Sequence, residues 1–355
     1  MGRTLVVVGA TGAVGRAVLQ TLGTRSVVWD ELRLAASNRH AGEAVSAYGQ
    51  QLLVQQVSPQ LFAGADVAIV ALPEEAARVA AAMAGDAGVP VVDCSPVFRA
   101  EPDVPLVIPE INPAQVNNRP RGIVASPSAS STAMLTALGP LHQGWGLESV
   151  VVTAMQAVSG RGDAGVERLV AEAESLVGQR SIGLSPGDVR RLLDLPDHSP
   201  FPAPVAANVV PVTSDLDAEG WSMQEARMRR EARKVLGLPD LKVAATTVWV
   251  PVMTAHSLSV HATFGSKITA DRARQALVEG SNSVVVLDDP ENEDWPNPVD
   301  VAGSEPTFVG RIRSSPDFPR SLEVFVCTDN LRKGAALNMV QIAEAIVGED
   351  PFAAL

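Results

Sequence analysis

The chain is poor in the residues from which several protein classes are built. Only two cysteines, Cys94 and Cys327, occur in 355 residues. That is too few for a disulfide framework, and a reducing, cytoplasmic setting is expected. Lys and Arg number 28 against 40 Asp and Glu, for a formal charge of −12. The balance is acidic overall, so a nucleic-acid-binding protein, which needs a basic footprint, is not expected. No apolar run approaches the ~18 residues that a membrane span requires. The opening Met1-Gly-Arg-Thr-Leu-Val-Val-Val has too short an apolar part for a signal peptide and runs straight into a glycine-rich turn. Myristoylation needs Ser or Thr at position 6, which is Val6. HExxH, CxxC and clustered acidic spacings are absent. His256 and His261 are five apart on a strand-like run and point to opposite faces, so no metal site is expected. No repeat at solenoid or propeller period is present.

What remains is globular: 46% of residues are hydrophobic and 19% charged, with length enough for two domains. The first 130 residues alternate short apolar runs, at 4–8, 31–36, 67–72, 90–93 and 122–125, with helical patterns at 13–22, 74–86 and 130–141. Continuous Val/Ile/Leu runs suit strands covered on both faces, which predicts a doubly wound, Rossmann-type α/β domain. From about 148 the texture changes. Longer strand-like runs at 148–158, 242–252, 255–264, 306–314 and 320–327 enclose helical patterns at 164–177, 222–236 and 270–278. This predicts an α+β domain with a larger, mainly antiparallel or mixed sheet. Pro-rich excursions at 194–205 and 288–306 read as loops or arms, and a last helix over 332–347 is free to return to the first domain.

Strand 4–8 leads into Gly9, Thr11, Gly12, Ala13, Val14 and Gly15 of a GATGAVG turn, then a helix. Glycines permit the tight turn and close backbone approach, and the helix start offers free N–H groups to a diphosphate. After the second strand stand Ser37, Asn38, Arg39 and His40, with none of the acid that holds a ribose in NAD sites. Arg39 is suited to clamping a 2′-phosphate, which favours NADP over NAD; the alternative is a solvated loop cation.

These motifs occur in company. GATGAVG at 9–15, VVDCSPVFR at 91–99, DVPLVIPEINP at 103–113, MQAVSGRG at 155–162, PDLKVAAT at 239–246, GRIR at 310–313 and DNLRKGAALNMVQIAE at 329–344 together resemble the aspartate-semialdehyde dehydrogenase family over essentially the whole chain. The resemblance implies an NADP-binding domain, 1–130 with a C-terminal helix at about 330–355. It also implies a catalytic and dimerisation domain, 131–329, and a cytoplasmic homodimer serving amino-acid biosynthesis. It implies a reaction in which a cysteine thiolate attacks an aldehyde, hydride passes to NADP, and phosphate releases the acyl-enzyme as aspartyl phosphate; biosynthesis runs this in reverse. Gln156 then matches the glutamine that orients acyl group and base, His256 the acid/base and Arg99 the phosphate arginine. Gly160 and Asn330 join the cofactor contacts.

The chain departs from this family where the chemistry would occur. The nucleophilic Cys of an Asn-Pro-Asn-Cys turn is here Ser126-Pro127-Ser128-Ala129. The substrate-carboxylate arginine falls on Trp249, and the Glu and Lys of the substrate helix on Gln224 and Arg227. Glu43 stands where the family often has Lys. An amide does not neutralise an ammonium, and indole does not form a bidentate pair with a carboxylate. The expectation is a protein that binds NADP and dimerises but is impaired in the family reaction. An alternative is an active NADP-dependent oxidoreductase with altered substrate, using Cys94 or non-covalent hydride transfer with His256. Cys94 otherwise reads as a small buried thiol, Cys327 as core and His256 as a structural histidine. A Ser–His hydrolase built on Ser128, Ser130 or Ser131 lacks a recognisable orienting carboxylate, and helix capping is the simpler role for these serines.

Overall fold

A computed structural model describes residues 2–193 and 198–352. Residues 194–197 of the first Pro-rich excursion, and 353–355 at the end of the expected C-terminal segment, lie outside the described residues. The N-terminal part runs β1 (Thr4–Val8), α1 (Ala13–Thr24), β2 (Glu31–Ala36), β3 (Ala44–Ala47), β4 (Gln50–Gln56), α2 (Pro59–Phe62), β5 (Val67–Val70), α3 (Glu74–Asp86), β6 (Val91–Asp93) and β7 (Ile123–Ala125). They form a seven-stranded sheet in the order β3-β4-β2-β1-β5-β6-β7. Every pair is parallel except β3 with β4. Central β1, TLVVV, is buried at all five positions, as β-branched residues covered on both faces should be. The β3–β4 hairpin was not legible in the sequence. It turns through Tyr48 and Gly49, both at positive φ (49° and 69°). A tyrosine hides a turn that Asn-Gly would have announced.

The second part runs α4 (Ala129–Trp145), β8 (Leu147–Gln156), α5 (Gly162–Leu176), α6 (Asp188–Leu192), α7 (Met223–Leu236), β9 (Lys242–Trp249), β10 (His256–Phe264), α8 (Ala270–Gly280), β11 (Val284–Val286), α9 (Pro298–Val301), β12 (Thr307–Ser314), β13 (Ser321–Thr328) and α10 (Asn338–Ile346). Its six-stranded sheet has the order β11-β12-β13-β10-β8-β9. It is mixed, with β8–β9 and β11–β12 parallel and the rest antiparallel. As expected it is the larger sheet in extent, its strands being longer, although it has one strand fewer than the first. The acidic excursion at 288–306 is not wholly loop either, since it contains the turn of helix α9.

Two cores position the site. One face of the first sheet packs Leu5, Val7 and Ile69 against Val18 and Leu22 of α1 and Met339, Val340 and Ile342 of α10. The opposite face continues through Met134, Leu135 and Leu138 of α4 into Val150, Val152, Leu258 and Val324 of the second sheet. Helix α4 is thus the shared layer, and its N-terminus opens between the sheets. The helix expected over 332–347 is two pieces, a π-helical turn Arg332–Leu337 and then α10. The π turn brings Gly334 against α4: a Cβ on Gly334 would lie 2.7 Å from the Ala129 Cβ.

Candidate active-site cleft

The glycine turn is built by steric exclusion. Gly9 has φ +92°, and a Cβ there would sit 2.3 Å from the Ala71 carbonyl oxygen; a Cβ on Gly15 would sit 2.0 Å from the Gly9 carbonyl oxygen. Gly12 caps α1 with no side-chain bond and no acid in the first turn. The first amides of α1 therefore keep their donors, and its dipole favours an anion. Gly12, Ala13 and Val14 line a cleft of about 520 Å³, whereas Gly9, Thr11 and Gly15 shape the turn behind it. Ser37 and Arg39 lie outside that cleft, exposed around the 3₁₀ turn Asn38–His40 after β2. Arg39 makes no ion pair among the described residues, and Glu43 is held by His40 Nδ1 at 2.8 Å.

The cleft gathers most of the other predicted positions: Cys94, Arg99, Ser128, Ala129, Ser130, Gln156, Gly160, Gln224, Arg227, Trp249, His256 and Asn330 all line it. Ala129 is the first residue of α4. Ser128 is its N-cap, and its Oγ accepts from the Ser131 amide at 3.4 Å. The Gln156 amide donates to Ser130 Oγ at 3.0 Å. Asn330 Nδ2 donates to Ser159 Oγ at 3.0 Å, and its Oδ1 accepts from the Ala255 amide at 3.0 Å. A carboxylate that sequence reading missed also sits here. Glu231 accepts from the Ser128 amide (3.0 Å) and Ser128 Oγ (2.7 Å) and pairs with Arg99 at 3.1 Å. This carboxylate faces Ser128 and not His256, whose Nδ1 is taken by the Ala157 amide, so it is not the orienting acid of a Ser–His pair. It lies one turn of α7 beyond Arg227, the spacing that would have suggested it. Arg99 also donates to the Cys94 carbonyl.

His256 is 4% exposed. Its Nδ1 accepts from the Ala157 amide at 3.1 Å, which assigns the ring proton to Nε2. Burial pushes its pKa down to about 3, so the ring is neutral at physiological pH. Burial raises the Cys94 thiol to about 12, with the Asp93 carboxylate adding to the shift. Cys94 follows the end of β6 and is half-buried, while Cys327 on β13 is buried with its thiol pushed to about 11 by the same cause. Trp249 packs its ring over Gly160, where a Cβ would lie 3.1 Å from the indole. It is edge-on to Phe201 at 5.2 Å. His261 pairs with Glu323 at 2.5 Å, away from His256. Among the described residues no group of three or more His, Cys, Asp or Glu is placed to hold a metal.

The family profile described as "Semialdehyde dehydrogenase, NAD binding domain" matches residues 4–119, and that described as "Semialdehyde dehydrogenase, dimerisation domain" matches 138–333. Aspartate-semialdehyde dehydrogenase of Corynebacterium glutamicum is 39% identical, covering 97% of this chain and 99% of its own. That of Streptomyces akiyoshiensis is 37% identical, covering 97% and 98%. The chain belongs to the aspartate-semialdehyde dehydrogenase family. Among solved structures, aspartate semialdehyde dehydrogenase II of Vibrio cholerae, complexed with ASA, superposes with a TM-score of 0.89 at 32% identity over 98% of each chain. The Candida albicans enzyme, solved with NADP, shares the fold at a TM-score of 0.71 and 21% identity, covering 97% of this chain and 99% of its own. The family's NAD(P)-binding and dimerisation domains are therefore both present. Among the described residues no helix is long and apolar enough to cross a membrane.

Proposed function

We propose that this family member keeps an NADP-binding, homodimeric, cytoplasmic scaffold but does not run the family's thioester redox step. The observation that carries the reading is the methyl group of Ala129 at the N-terminus of α4, inside the cleft. A helix N-terminus favours a thiolate, and here no sulfur stands on it. Cys94 is a poor substitute, because a thiol raised to about 12 has almost no thiolate near neutrality. Residues 1–130 with about 330–355 would bind the cofactor, and 131–329 would dimerise. The glycine turn and the free α1 amides fit a dinucleotide diphosphate, and exposed Arg39 with no acid after β2 favours NADP over NAD. When bound, NADP supplies a hydride acceptor.

Purified protein with NADP, phosphate and aspartate semialdehyde should give no NADPH above background. Turnover that survives Cys94→Ala overturns the reading. Fluorescence titration should show saturable NADPH binding, and a flat trace removes the cofactor claim. Ala129→Cys alone should restore little activity, because Trp249 and Gln224 still misfit an amino-acid substrate. A second reading, an oxidoreductase of altered substrate, draws on His256: a neutral imidazole whose Nε2–H is available to hydrogen-bond a carbonyl, with Gln156 beside it in the cleft. Carbonyl reduction lost in His256→Asn, while NADPH binding persists, would support it.

A further inference from the structure

One cation of the cleft is unaccounted for by anything above. Arg161 ends the 3₁₀ turn Val158–Arg161 and immediately precedes α5. Its guanidinium lies 5.4 Å from the Trp249 ring centroid, and its Nη2 donates to the Thr213 carbonyl at 2.9 Å. Thr213 is itself anchored, its hydroxyl 2.5 Å from that of Thr247 on β9. The other two arginines lining the cleft have carboxylate partners, Arg99 in Glu231 and Arg227 in Glu74. Arg161 has none among the described residues. The Asp163 carboxylate two residues on is taken by Arg16 at 2.6 Å. Among the described residues no Asp or Glu lines the cleft itself, Glu231 lying buried behind Arg99 and Ser128, in a protein whose formal charge is −12.

We propose that Arg161 is the carboxylate anchor of this cleft, and that the ligand is a small carboxylate bearing no amino group. The proposal rests on the reading above that the cleft holds a ligand beside the cofactor. A guanidinium laid on an indole and pinned at one nitrogen is pre-organised, so less side-chain freedom is lost when a carboxylate binds its remaining donors. The N-terminus of α5 adjoins it at Gly162, which also lines the cleft, and adds partial positive charge. An ammonium in the same space would meet Arg161 and the neutral amide of Gln224, while the nearby acids, Glu231 and Glu74, are already engaged by Arg99 and Arg227, leaving little to offset its desolvation. Trp249 thereby takes on a role as the platform on which Arg161 rests.

The test uses the full-length protein saturated with NADPH and calorimetric titration with succinate, aspartate and inorganic phosphate. Succinate should bind, with aspartate at least ten-fold weaker and phosphate unable to displace succinate at equal concentration. Arg161→Gln should weaken succinate at least ten-fold while NADPH affinity and melting temperature stay unchanged. Gln224→Glu should narrow or reverse the preference for succinate over aspartate, since it supplies the missing acid. Equal affinity for succinate and aspartate, effective displacement by phosphate, or undiminished succinate binding in Arg161→Gln overturns the proposal. Loss of NADPH binding with Arg161-dependent succinate binding intact would instead sink the cofactor reading and leave this one standing.

Discussion

Ala129, the first residue of α4, presents a methyl group to the cleft. A Cβ on Gly334 would lie 2.7 Å from the Ala129 Cβ, so the glycine of the π turn is what leaves room for a side chain at the head of α4. The neighbouring Asp93 shows a different balance at the same scale. It is fully buried; its Oδ1 accepts from the Ser95 amide (2.9 Å) and Ser95 Oγ (2.6 Å), while Oδ2 has no partner. Burial raises its pKa to about 6, against smaller opposing contributions from Ser95 and Arg99. Because the folded-state value lies above the unfolded one, the stabilisation is complete in acid and is lost as pH rises through about 6. A shift of this size corresponds to about 3 kcal/mol. Asp93→Asn keeps an oxygen for Ser95 and removes the buried charge. It should exceed the parent in stability by about 2 kcal/mol at pH 8, with the two converging near pH 4. Urea unfolding across that range checks it, and a pH-independent difference would rule out titration of Asp93 as the cause.

At the scale of elements, the cofactor turn separates structural from binding glycines. Gly15 is pressed to the Gly9 carbonyl, whereas a Cβ on Gly12 would meet nothing nearer than 3.5 Å. Gly15→Ala should therefore destabilise the fold by about 2–3 kcal/mol as well as abolish NADPH binding. Gly12→Ala should leave the melting temperature nearly unchanged and weaken NADPH alone, since its Cβ would enter the cleft. Equal melting temperatures for both variants would contradict this account. The strand–turn–helix unit was legible because its glycine spacing and its buried valines agree. The β3–β4 hairpin, three-residue β11 and the π turn were not, because Tyr48 occupies a turn position usually given to Asn, β11 is too short to show a period, and a π turn has no distinct sequence pattern. Helix α7 was legible through its Ser222–Glu225 capping box and its C-terminal Gly237 at φ +67°.

For the whole molecule, the second sheet has an inner face buried against α4 and an outer face that the described residues cover only in part, Val301 of α9 packing on its Cys327 end and Phe318 on His261. Val150, Val152 and Ala154 point inward, while Val151 is 55% exposed and Thr153 and Ser259 are exposed beside it. An exposed β-branched face on a domain of the dimerisation type is the expected seat of the homodimer. Val151→Asp should shift the protein toward monomer in sedimentation velocity at low micromolar concentration without lowering its melting temperature as a core substitution would. An unchanged dimer would place the interface elsewhere.

The amino-acid sequence alone determined the doubly wound first domain, the family and the glycine turn, because each depends on residue type at a local spacing. The tertiary structure alone decided that Glu231 reaches across to cap α4 and hold Arg99, that burial keeps His256 neutral and Cys94 protonated, and that Arg161 lies on Trp249 with no carboxylate partner among the described residues. These are contacts and desolvation between segments distant in the chain, and no local pattern encodes which side chains will share a buried space.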